Sequence, residues 1–256
     1  MLVISEKEEL IFMSTGTLRQ ILLITDGCSN EGREPALAAA VAREHNITVN
    51  VIGILDHGEL GEHGIEEVER IAQAGGGIHQ VVYARDLSKT VQMVTRQAMT
   101  QTIQQVVNKE LTHILGPEQM IDALPPEKRS KVVEVVENLS ETMALEVLIL
   151  VDTSASMKSK IGAVVQALRD LKLSLGSRIG ENRFSLWTFP GRKSAAHKHM
   201  DWSTDLTALE RAFSRLSPQG TTPTGPALEE ALSYMVGSLP ENLFADDDEG
   251  MFTSYA

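Results

Sequence analysis

Apolar residues occur along the chain in two kinds of pattern, short continuous runs and longer runs with a period of three to four residues. The continuous runs predict strands buried on both faces of a sheet, and the periodic runs predict amphipathic helices. The clearest strand signal is Val147–Val151, where three of the five apolar residues are β-branched. Predicted strands cover 20–25, 48–55, 78–83, 145–151, 184–189 and 195–202, and predicted helices cover 34–45, 65–74, 87–111, 127–139, 160–175, 206–216 and 226–235. This alternation predicts an α/β fold with a mostly parallel central sheet.

One pair of predicted strands departs from the parallel arrangement. Phe184–Phe189 and Ala195–Trp202 are joined by a short segment around Pro190 and Gly191, too short for a crossover helix. They therefore predict an antiparallel hairpin at one edge of the sheet. The expected fold is a Rossmann-like three-layer sandwich, in which helices cover both faces of a mostly parallel sheet with one antiparallel edge strand.

The patterned part of the chain runs from residue 18 to residue 236 and is expected to form a single domain. Residues 1–17 have no clear period and are interpreted as an N-terminal extension. Residues 112–144 have a weaker, charged helical pattern and are interpreted as a connector between 18–111 and 145–236. The tail, residues 237–256, contains the acidic run Asp246–Glu249 and is expected to be disordered, because a solvated acidic run does not form a core.

Composition narrows the class of protein. The 23 Lys and Arg residues against 35 Asp and Glu residues give a net charge of −12, which disfavours a nucleic-acid partner. No apolar run approaches the roughly 20 residues that a transmembrane helix needs, and residues 1–16 do not have the pattern of a signal peptide. The chain has one cysteine, Cys28, so no internal disulfide is expected. These features predict a cytoplasmic protein without a membrane partner.

Three loops carry oxygen ligands of the kind that Mg²⁺ prefers. Two of the loops follow buried strands and the third opens a helix, so all three are expected at the carboxyl edge of the sheet, where α/β proteins bind ligands. Each loop alone is also explained by helix capping or turn formation. Together they predict a magnesium site with one position left for an outside ligand. The candidate ligands are the carboxylates of Asp26 and Asp152 and the hydroxyls of Ser154, Ser156 and Thr222.

These loops resemble those of the von Willebrand factor A (VWA) domain family, whose metal-ion-dependent adhesion site (MIDAS) combines Asp-x-Ser-x-Ser, a Thr loop and an Asp-Gly after a strand. Here Asp152–Ser156, Thr222–Gly225 and Asp26-Gly27 match the three parts, but the third part comes first in the chain. Reading 145–236 before 18–111 restores the order of the family. The chain therefore resembles a circular permutant of one VWA domain, with the connector joining the usual ends. Within the family it is most similar to the YabS-like proteins of spore-forming bacteria.

The resemblance implies a non-enzymatic protein–protein interaction module. Ser154, Ser156 and Thr222 would offer hydroxyls to Mg²⁺ (or to Mn²⁺ or Ca²⁺), and Asp152 and Asp26 would bind the ion directly or through water. A Glu or Asp of a protein partner would complete the coordination. The resemblance also implies an AAA-type ATPase as a possible partner and a role in sporulation. Pairing of the two halves between chains, as a domain-swapped dimer, remains open.

Other interpretations of the same residues remain. Within the metal site, Thr221 is an alternative to Thr222 as the ligand. The domain can also be a metal-independent VWA-like scaffold whose loops only cap helices. A serine hydrolase using Ser154 is disfavoured, because the sequence has no Gly-x-Ser-x-Gly motif. His197 and His199, two apart on a predicted strand, can hold Zn²⁺ together or lie separately at the surface.

Overall fold

The computed structural model of the 256-residue chain describes residues 2–4, 10–12, 16–27, 29–55, 62–115, 121–205, 218 and 220–237. Strands and helices alternate through most of this part of the chain. The strands are β1 (Leu2–Ile4), β2 (Leu10–Phe12), β3 (Thr17–Thr25), β4 (Ile47–Leu55), β5 (Gly76–Tyr83), β6 (Ala144–Asp152), β7 (Asn182–Phe189) and β8 (His197–Ser203). The α-helices are α1 (Pro35–Glu44), α2 (Glu62–Ala74), α3 (Leu87–Leu115), α4 (Pro126–Thr142), α5 (Ile161–Leu175) and α6 (Thr224–Gly237).

The main sheet has six strands in the order β5-β4-β3-β6-β7-β8. All neighbours pair in parallel except β7 and β8, which are antiparallel and form the predicted edge hairpin. A separate antiparallel pair, β1 with β2, lies in the segment that was interpreted as an extension. The α/β sandwich expected from the sequence is therefore confirmed. The predicted helix over 206–216, Cys28 and the tail beyond residue 237 lie outside the described residues.

The two faces of the sheet pack against separate sets of helices. Along β3, Leu22 and Ile24 face a core built with α3, α4 and α5, while Ile21 and Leu23 face a core built with α1, α2 and α6. This alternation follows from the period of two along a strand, and each fully buried aliphatic side chain contributes about 1.5–3 kcal/mol. Burial on both faces explains why the strands were visible in the sequence as continuous apolar runs.

The central strand β6 also carries a charge. Glu146 is buried, and its carboxylate accepts hydrogen bonds from Arg19 Nε at 3.1 Å and from Arg183 Nη1 at 2.9 Å. The two guanidinium groups come from the neighbouring strands β3 and β7, so the charge is compensated across the sheet.

Helix α4, in the segment interpreted as a connector, packs into the same core as α3 and α5. Its buried residues Val132, Val136 and Leu139 recur at helical spacing. Arg178, which follows α5, donates hydrogen bonds to the carbonyls of Ser140 and Met143 at 2.8 and 2.7 Å. These contacts attach the end of α4 to the body of the domain. Among the described helices, none has the length and apolar character that crossing a membrane requires.

The strand order reverses between β3 and β6. From β3 the chain proceeds outward through β4 and β5, and from β6 it proceeds outward through β7 and β8 on the other side. The helices that leave two such strands diverge, and a crevice opens between the carboxyl ends of the strands. Asp26 directly follows β3 and Asp152 is the last residue of β6, so both candidate carboxylates lie at this crevice.

Candidate metal site

Asp152 is the buried carboxylate of the crevice between β3 and β6. Its side chain is fully buried, and Oδ1 accepts a hydrogen bond from the backbone N–H of Ser154 at 2.7 Å. Its other oxygen, Oδ2, accepts a hydrogen bond from Thr25 Oγ1 at 2.8 Å. Burial raises the pKa of Asp152 to about 6, and the hydrogen bonds from Ser154 and Thr25 oppose that rise. The carboxylate is thus held in one orientation by the last residue of β3 and by the loop that follows β6.

The side-chain oxygen atoms of the two serines and Asp26 form a hydrogen-bonded row that continues from Asp152. Ser154 Oγ and Ser156 Oγ are 3.1 Å apart, and Ser156 Oγ donates to Asp26 Oδ1 at 2.7 Å. Adjacent ligands of an octahedral Mg²⁺ ion lie about 3.0 Å apart when each bond is about 2.1 Å. Both observed separations are close to that value, and the donors are all hard oxygen atoms. The residues present therefore fit a magnesium-type ion.

A lysine lies on the other side of Asp26. Lys160 Nζ donates to Asp26 Oδ2 at 2.5 Å, and the two side chains are 7% and 0% exposed. A short 3₁₀ turn, Ala155–Ser159, brings Lys160 to this position. The turn is closed by hydrogen bonds from Met157 N–H to the Ser154 carbonyl at 3.1 Å and from Lys160 N–H to the Met157 carbonyl at 2.9 Å. The same turn therefore fixes both the serines and the lysine.

The loop that contains Thr222 is attached to the loop that follows Asp26. The backbone N–H of Thr222 donates to Asn30 Oδ1 at 2.8 Å, and the N–H of Asn30 donates to the Thr222 carbonyl at 3.2 Å. Thr222 is buried, whereas Thr221 is exposed and its hydroxyl donates to Glu31 Oε2 at 2.6 Å. The engagement of Thr221 with Glu31 favours Thr222 as the residue directed into the domain.

Four of the five candidate ligands are thus joined by direct hydrogen bonds, and the fifth belongs to a loop bound to the loop that follows Asp26. Sequence reasoning did not find Thr25, Lys160 or Asn30. Thr25 immediately precedes Asp26 and Lys160 follows Ser156 by four residues, so proximity in sequence was an available signal for both. Asn30 had no such signal, because its partner Thr222 is 192 residues away.

The other candidate sites are the histidine pair His197 and His199 and the hydroxyl of Ser154. In the described part of the chain, no group of three or more His, Cys, Asp and Glu residues is arranged to hold a metal ion. The rings of His197 and His199 are 4.5 Å apart, and His199 Nε2 is hydrogen-bonded to Thr188 Oγ1 at 2.8 Å. Burial, with a smaller effect of His197, lowers the pKa of His199 to about 4, so this imidazole is neutral at pH 7. The hydrogen bond described for Ser154 Oγ is to Ser156 rather than to an imidazole.

Comparison with known proteins identifies the family of this fold. Two sequence profiles of the von Willebrand factor type A domain match the chain, one over residues 147–242 and the other over residues 3–81. The uncharacterized protein YabS of Bacillus subtilis (strain 168) is 53% identical over 237 residues, which are 92% of this chain and 97% of that protein. The chain belongs to the von Willebrand factor type A family. Domains of this type are in general protein-interaction modules.

A solved structure has the same fold. The crystal structure of an uncharacterized protein from Alicyclobacillus acidocaldarius subsp. acidocaldarius DSM 446 has a TM-score of 0.80 and 44% sequence identity, covering 86% of this chain and 94% of that chain. The similarity to YabS agrees with the resemblance to YabS-like proteins drawn from the sequence.

Proposed function

We propose that this protein is a metal-dependent protein-interaction module that binds an acidic residue of a partner protein through a divalent cation. The cation would be held by Asp152, Ser154, Ser156, Thr222 and Asp26. The observation that carries the proposal is the hydrogen-bonded row Ser154–Ser156–Asp26 directly beside Asp152 at the reversal of strand order. Spacings close to those of octahedral ligands, in the crevice where α/β proteins bind ligands, are what a magnesium-type site requires.

The composition of the site explains why an acidic partner would be selected. Hydroxyl groups carry no formal charge, so three of the five candidate ligands do not neutralise the ion. Ser156 is exposed while Asp152 is buried, which leaves the side of the row near Ser156 open to solvent. A carboxylate that approaches from this side supplies a further oxygen ligand and a negative charge. When bound, the ion supplies a Lewis-acidic position for that carboxylate.

We also infer that the domain is a circular permutant, which assembles the site from two halves of the chain. Residues 18–111 would correspond to the second half of a family member and 145–236 to the first half. The inference is supported by the two profile matches, one in each half, and by the outward course of the chain from both β3 and β6. A role in sporulation and an AAA-type ATPase partner belong to the same proposal, and a domain-swapped dimer is the alternative in which the two halves come from different chains.

The first test is a titration of the protein with Mn²⁺ alone, in which the electron paramagnetic resonance signal of the free ion measures binding. The wild-type protein is expected to bind one ion, and Asp152→Asn is expected to weaken binding about 100-fold, because a neutral amide replaces one of the two negative charges that would hold the ion directly or through water. Asp86→Asn is the control, because this exposed side chain pairs with Arg85 in the turn before α3. Equal Mn²⁺ affinity for Asp152→Asn and wild type would exclude the proposed site.

The metal-independent scaffold is the second candidate function. It is favoured by one observation, the ion pair of Lys160 with Asp26, which already compensates one of the two carboxylates. A scaffold predicts that EDTA and Asp152→Asn leave the set of captured cellular proteins unchanged. The metal-dependent module predicts that an interaction present in Mg²⁺ is lost under both conditions.

A further inference from the structure

The contact between Lys160 and Asp26 bears on how tightly the site would hold its ion. Asp26 uses one carboxylate oxygen for Ser156, at 2.7 Å, and the other for Lys160, at 2.5 Å. The serine hydroxyl belongs to the row of candidate ligands, and the ammonium group is a cation. Asp26 therefore joins the candidate ligands to an internal positive charge.

Burial of both side chains strengthens the electrostatic effect of this ion pair. The Asp26 side chain is 0% exposed and that of Lys160 is 7% exposed, so water screens the two charges poorly. A buried carboxylate that loses its partner is strongly destabilising, because the charge is left uncompensated. In the metal-free protein, Lys160 is the cation that compensates Asp26.

The backbone of Lys160 is held close to the site. Lys160 directly follows the 3₁₀ turn that carries Ser156, and its carbonyl accepts the N–H of Val164 at 3.1 Å in the first turn of α5. A divalent ion beside Asp26 would consequently lie within reach of the Lys160 ammonium group, which contacts the same carboxylate. Two cations would then share one carboxylate, and their mutual repulsion opposes metal binding.

We infer that Lys160 is an internal cation that competes with the metal ion for Asp26 and thereby lowers the metal affinity of the site. This inference rests on the proposed function and extends it to the regulation of the same site. Lys160 stabilises the metal-free form by compensating Asp26 and destabilises the metal-bound form by repulsion. Two effects of opposite sign are therefore expected when its charge is removed.

The test uses Lys160→Gln, which removes the charge and keeps a hydrogen-bond donor for Asp26. In the full-length protein, we expect the affinity for Mn²⁺, measured by electron paramagnetic resonance, to rise about tenfold because a like charge near the ion is lost. In EDTA, we expect the thermal unfolding midpoint of the same variant to fall. Lys160→Arg keeps the charge and is expected to remain within about twofold of the wild-type affinity.

Lys158 provides the matched control, because it is a lysine of the same 3₁₀ turn but is exposed. Lys158→Gln is expected to leave both the Mn²⁺ affinity and the thermal midpoint near their wild-type values. A purely structural role for Lys160 predicts a lower thermal midpoint in EDTA without tighter Mn²⁺ binding. Unchanged or weaker Mn²⁺ binding by folded Lys160→Gln would overturn the inference.

The outcomes separate this inference from the proposed function. If wild type binds Mn²⁺ and Lys160→Gln binds it no more tightly, only the inference fails. If neither protein binds Mn²⁺, both fail. If Lys160→Gln does not fold in EDTA, Lys160→Met is measured beside it over a range of Mn²⁺ concentrations. Competition predicts that the variants regain their fold at Mn²⁺ concentrations below those that half-saturate the wild-type protein, and recovery only at higher concentrations, or none, counts against it.

Discussion

The contribution of the hydrogen bond between Thr25 and Asp152 to the free energy of unfolding can be measured in the absence of metal. Thr25 Oγ1 donates to Asp152 Oδ2 at 2.8 Å, and the two residues are 2% and 0% exposed. Thr25→Val replaces the hydroxyl by a methyl group of similar size. The substitution leaves the cavity filled and removes a hydrogen bond to a buried carboxylate, together with two longer contacts of the same hydroxyl with the carbonyl and the N–H of Gly27, at 3.3 and 3.4 Å.

The expected loss follows from the charge of the acceptor. A hydrogen bond to a charged group contributes about 1.5–3 kcal/mol, and leaving the buried oxygen unsatisfied costs its desolvation energy. We therefore expect the free energy of unfolding to fall by about 2 kcal/mol. With a urea m-value of about 3 kcal/mol per molar, the midpoint would fall by about 0.7 M urea. The experiment is urea unfolding in EDTA at pH 7.5, so that bound metal does not contribute and Asp152 is ionised.

Thr95→Val is the matched control. Thr95 is 1% exposed, and its hydroxyl donates to the Val91 carbonyl at 2.9 Å within helix α3. That carbonyl is neutral and belongs to the helix, so we expect a loss of about 1 kcal/mol or less. If the two variants lost the same free energy to within about 0.5 kcal/mol, the charge of Asp152 would not explain the effect and the reasoning would be refuted.

Two further predictions concern stability. The pKa of His199 is lowered from its ordinary value of 6.5 to about 4 in the folded protein. Between pH 6.5 and pH 4 the unfolded chain therefore binds a proton that the folded protein does not, and acidification across this window should destabilise the fold. His199→Gln should reduce that loss by about 1 kcal/mol after allowance for solvent screening, measured by urea unfolding at pH 7.5 and pH 5, and an unchanged pH dependence would contradict the assignment. Gly225→Ala should destabilise the protein severely, because a Cβ atom there would lie 2.0 Å from the Arg33 carbonyl oxygen and separate α6 from the loop before α1. Gly162→Ala, where a Cβ atom meets nothing within 4 Å, is its control in thermal unfolding, and equal midpoints for the two variants would contradict the prediction.

Local pattern was sufficient for most of the secondary structure. The apolar run of β6 and the periodic helices α1 and α5 were visible because a strand buried on both faces and a helix buried on one face each leave a signature in nearby residues. The observed boundaries of the elements differ from the predicted ones by a few residues. For example, α3 ends at Leu115, whereas the sequence pattern predicts Leu111. The turn of the Asp152–Ser156 segment was equally local, since Asp152 accepts the N–H of Ser154 only two residues away.

Local sequence is enough to locate the candidate oxygen ligands and to place them at strand ends and helix starts. Their hydrogen-bond partners depend on the tertiary structure. Thr25 and Asp152 are 127 residues apart, Asp26 and Ser156 are 130 apart, and Asn30 and Thr222 are 192 apart. Such contacts depend on strand order and register, which arise from packing of the whole domain and leave no local pattern. The pairing of Asp26 with Lys160 rather than Lys158 is of this kind, because only the fold directs one of two nearby lysines inward and leaves the other in water.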